Sequence, residues 1–535
     1  MSGLKKMLQL VAIVAASACM VACSVDKTTP SKGNMIPDNA VVAVKVDLDQ
    51  LLNKALGDEN SPLRDYWNAA KSGLSGQMRG YGQIGDVARE IIKNPEVSGI
   101  QVDEPVVISC SYDMRNIEYD DPSFDLYMVA LLDDRSAFVK VADAVAAYAR
   151  DEEDLNVKKE NLGSYTYYEI MSEYGNSLDL GVADKAAVLR LRVNALDGGL
   201  RMKDSFAAMF ANGGPEKTEG LKEFYDAEQD VAVWVALDAA LDSAMPLIEE
   251  ELDYASVSKL QAYAQMYDDA SAVLALDFKE GKTVLNCNIY GSDQLKDAVT
   301  KYNKPASDKY LKKMPASAAL VANFAIKDFA GLVDMMCAES EELEEIYEES
   351  VWEFDFDESL LGGFPGNVSV ALDVKSLAYR SEPGFMVCVE ADRNVWRYLE
   401  TYLDEVAEYQ GDDVYSVDDE VYVVYEDGHI TLVDAETMST APMEGTHSFA
   451  DTEFGDQIEK GGAFVNLASV PGNDLVKFVR REFGLRLSRE QILNICSSVV
   501  LTTSDDFMSS TLTLNMKDGE HNLLENIALL ALPTL

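Results

Sequence analysis

Histidine is nearly absent, since the 535 residues include only His429, His447 and His521. That excludes a histidine-rich metal centre and an extended histidine proton relay. Positive charge is also scarce: 45 Lys and Arg stand against 93 Asp and Glu, a formal net charge of −48. A surface of that sign repels phosphate backbones and anionic headgroups, so nucleic acid is not an expected partner. Cysteine is sparse too. Past the N-terminus only Cys110, Cys287, Cys337, Cys388 and Cys496 remain. They are odd in number, without close spacing, and four sit in apolar strand-like runs, which reads as buried thiols rather than a disulfide framework. What is present is ordinary for a globular protein: 47% hydrophobic and 26% charged residues. Those values exclude disorder, collagen and a membrane bundle, and the length allows roughly two to four domains.

The N-terminus reads as an export signal. Lys5 and Lys6 precede an apolar run from Met7, and the small-residue site Met20-Val21-Ala22 stands before Cys23. The run from Met7 to Ala22 is 16 residues with Gln9 and Ser17 inside it, shorter than the roughly 20 a span needs. Met20-Val21-Ala22-Cys23 resembles the lipobox of bacterial lipoproteins, which implies cleavage after residue 22 and acylation of Cys23. Ala16-Ser17-Ala18-Cys19 is a competing match, but Met-Val-Ala follows Cys19 whereas polar Ser24-Val25-Asp26-Lys27 follows Cys23. Several acyl chains would anchor stably where one is marginal. Ser24 after the cysteine implies, by analogy with other Gram-negative lipoproteins, the outer membrane, periplasmic or surface-facing. Residues 23–34 then form a lipidated flexible tether.

The body resembles itself. Ile36-Pro-Asp-Asn-Ala-Val-Val-Ala-Val-Lys-Val-Asp-Leu-Asp-Gln-Leu51 has a counterpart 278 residues on, Met314-Pro-Ala-Ser-Ala-Ala-Leu-Val-Ala-Asn-Phe-Ala-Ile-Lys-Asp-Phe329. Val231–Leu237 and Gly462–Leu467 follow the same plan. After each comes a hairpin and then a helix: Val106–Tyr112 with Leu126–Leu132, Ala272–Phe278 with Thr283–Tyr290, Val368–Val374 with Phe385–Glu390, and Val499–Thr503 with Ser510–Asn515. Units one and three add a polar hairpin, turning at Gly175-Asn176 and Asp427-Gly428. The expected fold class is therefore α+β: two duplicated halves, each of two β-α-β-β-α units related to the split βαββαβ plan, with antiparallel sheets covered by helices on one face. The first half spans 35–303 (units 35–218 and 219–303) and the second 304–535 (units 304–457 and 458–535).

Catalytic signatures are weak. Gly80-Tyr-Gly-Gln-Ile-Gly85 matches a dinucleotide fingerprint, but helical sequence rather than a strand precedes it, so it reads as a turn. His447-Ser448 has no acid partner at a spacing that suggests a triad. No cofactor is expected. The acidic segment Glu339 to Glu358 carries a stripe at Glu341, Glu344, Glu345, Glu348 and Glu349, which reads as a solvated helix face. Asp355-Phe-Asp357 lacks the third acid and glycine of a calcium loop. Tyrosines concentrate on the polar hairpins: Tyr165, Tyr167, Tyr168 and Tyr174 on the first, Tyr415, Tyr422 and Tyr425 on the second. Rigid aromatics make good contact residues, so Tyr165, Tyr167, Tyr168, Tyr415, Tyr422 and Tyr425 form the candidate contact surface. Packing on the sheet is the competing explanation.

The lipobox, the polar tether and the Ile36-Pro37-x-x-Ala40 strand with its following helix resemble a family of large Gram-negative envelope lipoproteins classified as a domain of unknown function. The resemblance implies an envelope location and carries no active residues. The leading expectation is a non-enzymatic binding or scaffold protein, anchored in the bilayer through acylated Cys23 and meeting an envelope protein or glycan. The rivals are a glycan hydrolase working through two carboxylates, and a cation-dependent adhesin.

Overall fold

The computed structural model describes residues 36–37, 39–113, 123–151, 155–171, 177–193, 202–212, 219–241, 245, 264–339, 347, 358–364, 366–374, 383–435 and 448–531. The expected signal segment 1–22, Cys23 and the expected tether lie outside them. So do Tyr174 with the turn at Gly175-Asn176, His447, and most of the acidic segment, including its glutamate stripe, Asp355 and Asp357.

Among the described residues twenty strands follow one another. The first ten are β1 (Val42–Val46), β2 (Val106–Asp113), β3 (Ser123–Leu131), β4 (Asn156–Asn161), β5 (Thr166–Met171), β6 (Ser177–Val182), β7 (Ala186–Val193), β8 (Val231–Ala236), β9 (Ser271–Lys279) and β10 (Lys282–Tyr290). The second ten are β11 (Leu320–Ala325), β12 (Asn367–Asp373), β13 (Gly384–Glu390), β14 (Glu408–Gly411), β15 (Val414–Val417), β16 (Val421–Glu426), β17 (His429–Asp434), β18 (Gly462–Asn466), β19 (Ser498–Thr503) and β20 (Ser509–Asn515). Two compact units result. The described residues of Met1–Phe278, Cys287–Ser292 and Leu524–Leu535 form one, and Lys279–Asn286 with Asp293–Leu523 form the other.

In the first unit the pairing order is β4-β5-β6-β7-β3-β2-β1-β8-β9, antiparallel throughout. In the second it is β14-β15-β16-β17-β13-β12-β11-β18-β19-β20, again antiparallel.

The strand pairing corrects the expected fold class. The β-α-β-β-α segments do not each own a sheet; within each unit the strands of successive segments pair side by side in one antiparallel sheet, β1 with β8 and β11 with β18. The physical reason is visible at the opening strands. An unpaired edge exposes a row of backbone donors and acceptors, and β1 has none: Val44 faces Ile108 of β2 on one side and Val233 of β8 on the other. In the second unit β11 is likewise held by both β12 and β18. The one-sided helix cover is also corrected, because in the first unit side chains of both sheet faces are buried.

Local chemistry sets the element ends. Ser61 caps the helix Pro62–Gln77, with proline at its first position. Asp392 accepts from the backbone of Asn394 and Val395 to start the helix Arg393–Val406. The β16–β17 hairpin closes on Asp427 and Gly428, with φ of 49° and 78°, the left-handed pair a two-residue turn requires. The glycine-rich segment near Gly80 joins the helices Pro62–Gln77 and Gly82–Lys93 with no strand before it, so no dinucleotide turn forms.

The first unit's core gathers Ile36, Ala43, Tyr127, Phe206, Phe224 and Trp234. In the second, Tyr310, Leu311, Val321, Cys388 and Phe464 play that part. Asn323 is wholly buried there, and its amide is satisfied: Nδ2 donates to the Ile458 and Glu459 carbonyls at 3.0 and 2.9 Å, and Oδ1 accepts from Ser369 at 2.8 Å. None of Cys110, Cys287, Cys337, Cys388 and Cys496 forms a disulfide; Cys388 is buried and the other four are partly exposed.

Candidate binding site

Side chains alternate across a strand, and in the first unit that alternation separates two environments. On β3, Tyr127 and Val129 turn into the main core. Met128 and Ala130 turn to the opposite face, toward the helix Arg135–Asp151. Asp134 starts that helix by accepting from the backbone of Ser136 and Ala137 at 2.7 and 3.1 Å. The helix presents short side chains downward: Ala142 and Ala146, one turn apart, are 4% and 6% exposed. They stand over Ala130 and Ala187 of the sheet, and the missing volume is left as a cavity of about 120 Å³. Leu178, Leu180, Leu189 and the ring of Tyr168 complete its walls with Phe138 and Ile100. A cavity so lined gives water nothing to bond to and suits an apolar guest.

Four of the six tyrosines of the expected contact surface are buried, and Tyr422 and Tyr425 are partly exposed. Tyr165, Tyr167, Tyr168 and Tyr415 are each no more than 2% exposed. Tyr168 faces the cavity, and its hydroxyl donates to Asp143 of the overlying helix at 2.9 Å. Lys159 pairs with the same carboxylate at 2.6 Å and lies over the Tyr168 ring. Tyr167, the adjacent residue, points the other way and donates to Asp179 at 2.7 Å. Tyr165 packs on Phe210 and donates to the Lys203 carbonyl. Burial raises the phenol pKa of both Tyr167 and Tyr168, assisted by their carboxylate partners. In the second unit Tyr415 donates to Asp404 at 2.6 Å. Tyr425 stacks on buried Trp396 at 5.2 Å, and Tyr422 packs half-buried on the core. The reason is the correction above: a sheet covered on both faces buries neighbours of either parity.

Opposite the cavity, beneath Phe206, lies a polar cluster. Arg190 is fully buried, 2.6 Å from Asp125 and 3.6 Å from Asp179. Arg192 adds a contact to Asp125 at 3.3 Å. Gly181 permits the close approach above it, since a Cβ there would stand 3.0 Å from Phe210 and 3.1 Å from Phe206. Burial raises the Asp179 carboxyl above its ordinary range, although Tyr167 and Arg190 oppose it.

Carboxylates also meet at Lys54, whose ammonium lies 2.7 Å from Asp230 and 2.8 Å from Asp277. Asp230 is buried, and desolvation raises its carboxyl despite the lysine. A glycosidase needs a sugar and a water between its two acids. Here the lysine stands there, so the arrangement is an ion-pair clasp between the helix Leu48–Leu56 and strands β8 and β9. His429 of the second unit is 1% exposed, its ring 5.0 Å from that of Tyr310. Its pKa is lowered to about 4, by burial first and then by Lys313 and Lys309, against Glu426. Ser448 spends its hydroxyl on Asp451 at 2.8 Å. Among the described residues no cluster of three or more His, Cys, Asp or Glu could hold a metal ion. Among the same residues no helix is long and apolar enough to cross a membrane.

A family profile described as "Domain of unknown function (DUF4836)" matches residues 32–436. The chain belongs to that family. No curated protein and no solved structure matches it. The DUF4836 match covers the cavity, the Arg190 cluster and the Lys54 clasp, and ends just past β17.

Sequence reasoning missed the cavity wall entirely. A trace of it existed in the alanine-rich helix, where Ala142, Ala146 and Ala149 recur at near-turn spacing. Such a stripe promises close packing as readily as a void, and only the facing Ala130 and Ala187 decide for the void.

Proposed function

We propose that this DUF4836 protein is an outer-membrane lipoprotein, acylated at Cys23, that works as a non-enzymatic binding protein of the cell envelope. Its recognition element is the apolar cavity under the helix Arg135–Asp151. The observation that carries the reading is the cavity's lining, which is carbon almost throughout and offers no acid, base or nucleophile to a guest. About 120 Å³ suits a short hydrocarbon group, such as a stretch of acyl chain or one aromatic ring. Anchoring is supported by the Met20-Val21-Ala22-Cys23 lipobox and by Ser24 after it.

Two measurements test the proposal. Metabolic labelling with an alkyne fatty acid should mark the protein in the outer-membrane fraction, and Cys23→Ser should abolish the label. Thermal unfolding with rising benzene or hexane should show a saturable increase in Tm, as for any ligand bound only by the folded state. Unchanged labelling sinks the anchor; a flat Tm sinks the cavity as a binding site.

A further inference from the structure

The helix Gly472–Phe483 of the second unit has an interior that is explained and an exterior that is not. Leu475 is buried against Ile492 and Leu493, with Val476, Val479 and Leu487 packed around them. Outside that cluster Phe478 is 49% exposed, Phe483 66% and Leu485 51%. The two phenyl rings meet edge to face at 6.2 Å, in solvent. Folding gains nothing from placing them there.

The same stretch reverses the charge of the chain. Between Lys477 and Arg489 stand five basic residues, Lys477, Arg480, Arg481, Arg486 and Arg489, against Glu482 alone, in a protein of net charge −48. Lys477 lies 3.5 Å from Asp474, Arg481 contacts Glu482, and Arg489 donates to the Ala468 carbonyl. Every residue from Arg480 to Arg486 is exposed. The helix ends there, at left-handed Gly484, so the basic and apolar side chains share one solvent-facing tip.

We propose that this tip is a membrane-contact site that inserts Phe478, Phe483 and Leu485 into the interface of an anionic phospholipid bilayer, while Arg480, Arg481 and Arg486 bind the phosphates. Rings at the headgroup boundary with guanidinium groups reaching back to the phosphate layer are the two halves of interfacial binding. Charge complementarity selects anionic lipid. The acidic remainder does not forbid it, because screening confines repulsion to about 8 Å in physiological salt. The contact is separate from the acyl anchor and does not require it.

The test uses the full chain bearing Phe483→Trp, reconstituted into vesicles containing phosphatidylglycerol or phosphatidylcholine alone. Vesicle sedimentation scores attachment, and quenching of the new indole by brominated lipid scores the tip. The expected result is a blue-shifted emission and about threefold more quenching in the anionic vesicles, lost when Arg480, Arg481 and Arg486 are all changed to Glu. An unchanged Tm in that variant shows that the fold survives. Equal emission in both vesicles and in buffer overturns the proposal, as does quenching indifferent to lipid charge. A blue shift that appears without lipid and grows with protein concentration overturns it in favour of self-association.

Discussion

Tyr167 donates its hydroxyl to Asp179 across 2.7 Å, and Asp179 faces an arginine with no solvent exposure, Arg190. The arrangement buries charge at a desolvation cost that only full pairing offsets. Arg190→Met should therefore cost about 3–5 kcal/mol, because it leaves Asp125 to Arg192 and buried Asp179 to the Tyr167 hydroxyl. Tyr167→Phe, which removes one donor, should cost about 1–3 kcal/mol. The Asp179 carboxyl is already raised by burial, so its protonated form is favoured in the folded state. Stability from this group thus falls as pH rises from the ordinary carboxyl range through its folded value. Urea unfolding should show the Arg190→Met loss to be larger at pH 7 than at pH 4.

The same tyrosines mark what sequence could and could not say. The alternating run from Val41 to Val46 reads as a strand and is one, and Asp427-Gly428 reads as a turn and closes β16–β17. Both are local signals. The role of Tyr167, Tyr168 and Tyr415 was illegible because each phenol pairs with an acid 11 to 25 residues away, at separations no periodicity encodes. Strand β4, Asn-Val-Lys-Lys-Glu-Asn, carries a single apolar residue, yet its ladder to β5 is complete. The partners of β1 were hidden for a similar reason, since β8 lies about 190 residues on. Cavity volume is a sum over facing elements, so the alanine stripe of one helix does not reveal it.

Lys54 holds two acids, and its removal should expose their mutual repulsion. Lys54→Met is expected to destabilise the protein by about 2–4 kcal/mol at pH 7, with a buried carboxylate left beside another. Adding Asp277→Asn should recover part of that loss, since one like charge disappears. The Asp230 carboxyl is raised by desolvation, so the penalty grows as pH rises through its folded value and shrinks in acid. A denaturation series of the single and double variants at pH 4.5 and pH 7 decides it. Full additivity of the two changes would show that Lys54 does not couple the acids.

His429 should impose a pH dependence of the opposite sense. Its folded pKa of about 4 lies below the ordinary imidazole value of 6.5, because burial, Lys313 and Lys309 disfavour the imidazolium. Unfolded chain takes up a proton that folded protein refuses, so the contribution is complete above about 6.5 and is lost as pH falls toward 4. The loss is on the order of 3 kcal/mol. Melting curves across that window should steepen for the wild type, and His429→Leu should flatten the same stretch of the profile. An identical profile in the variant would remove His429 as the cause.

The cavity makes its own demand on stability. In a filled core, extra methylenes force side chains off their rotamers and cost about 1–3 kcal/mol. Ala146 borders about 120 Å³ of empty, carbon-lined space, so Ala146→Leu should be neutral or stabilising by about 1 kcal/mol. It should also abolish the Tm increase produced by benzene or hexane. Met128→Ala works in the other direction: it enlarges the void and should cost about 2–5 kcal/mol. The enlarged site should still take up the solute and regain part of the lost stability when it does. A destabilised Ala146→Leu would mean that the helix Arg135–Asp151 already sits as low on the sheet as its alanines allow.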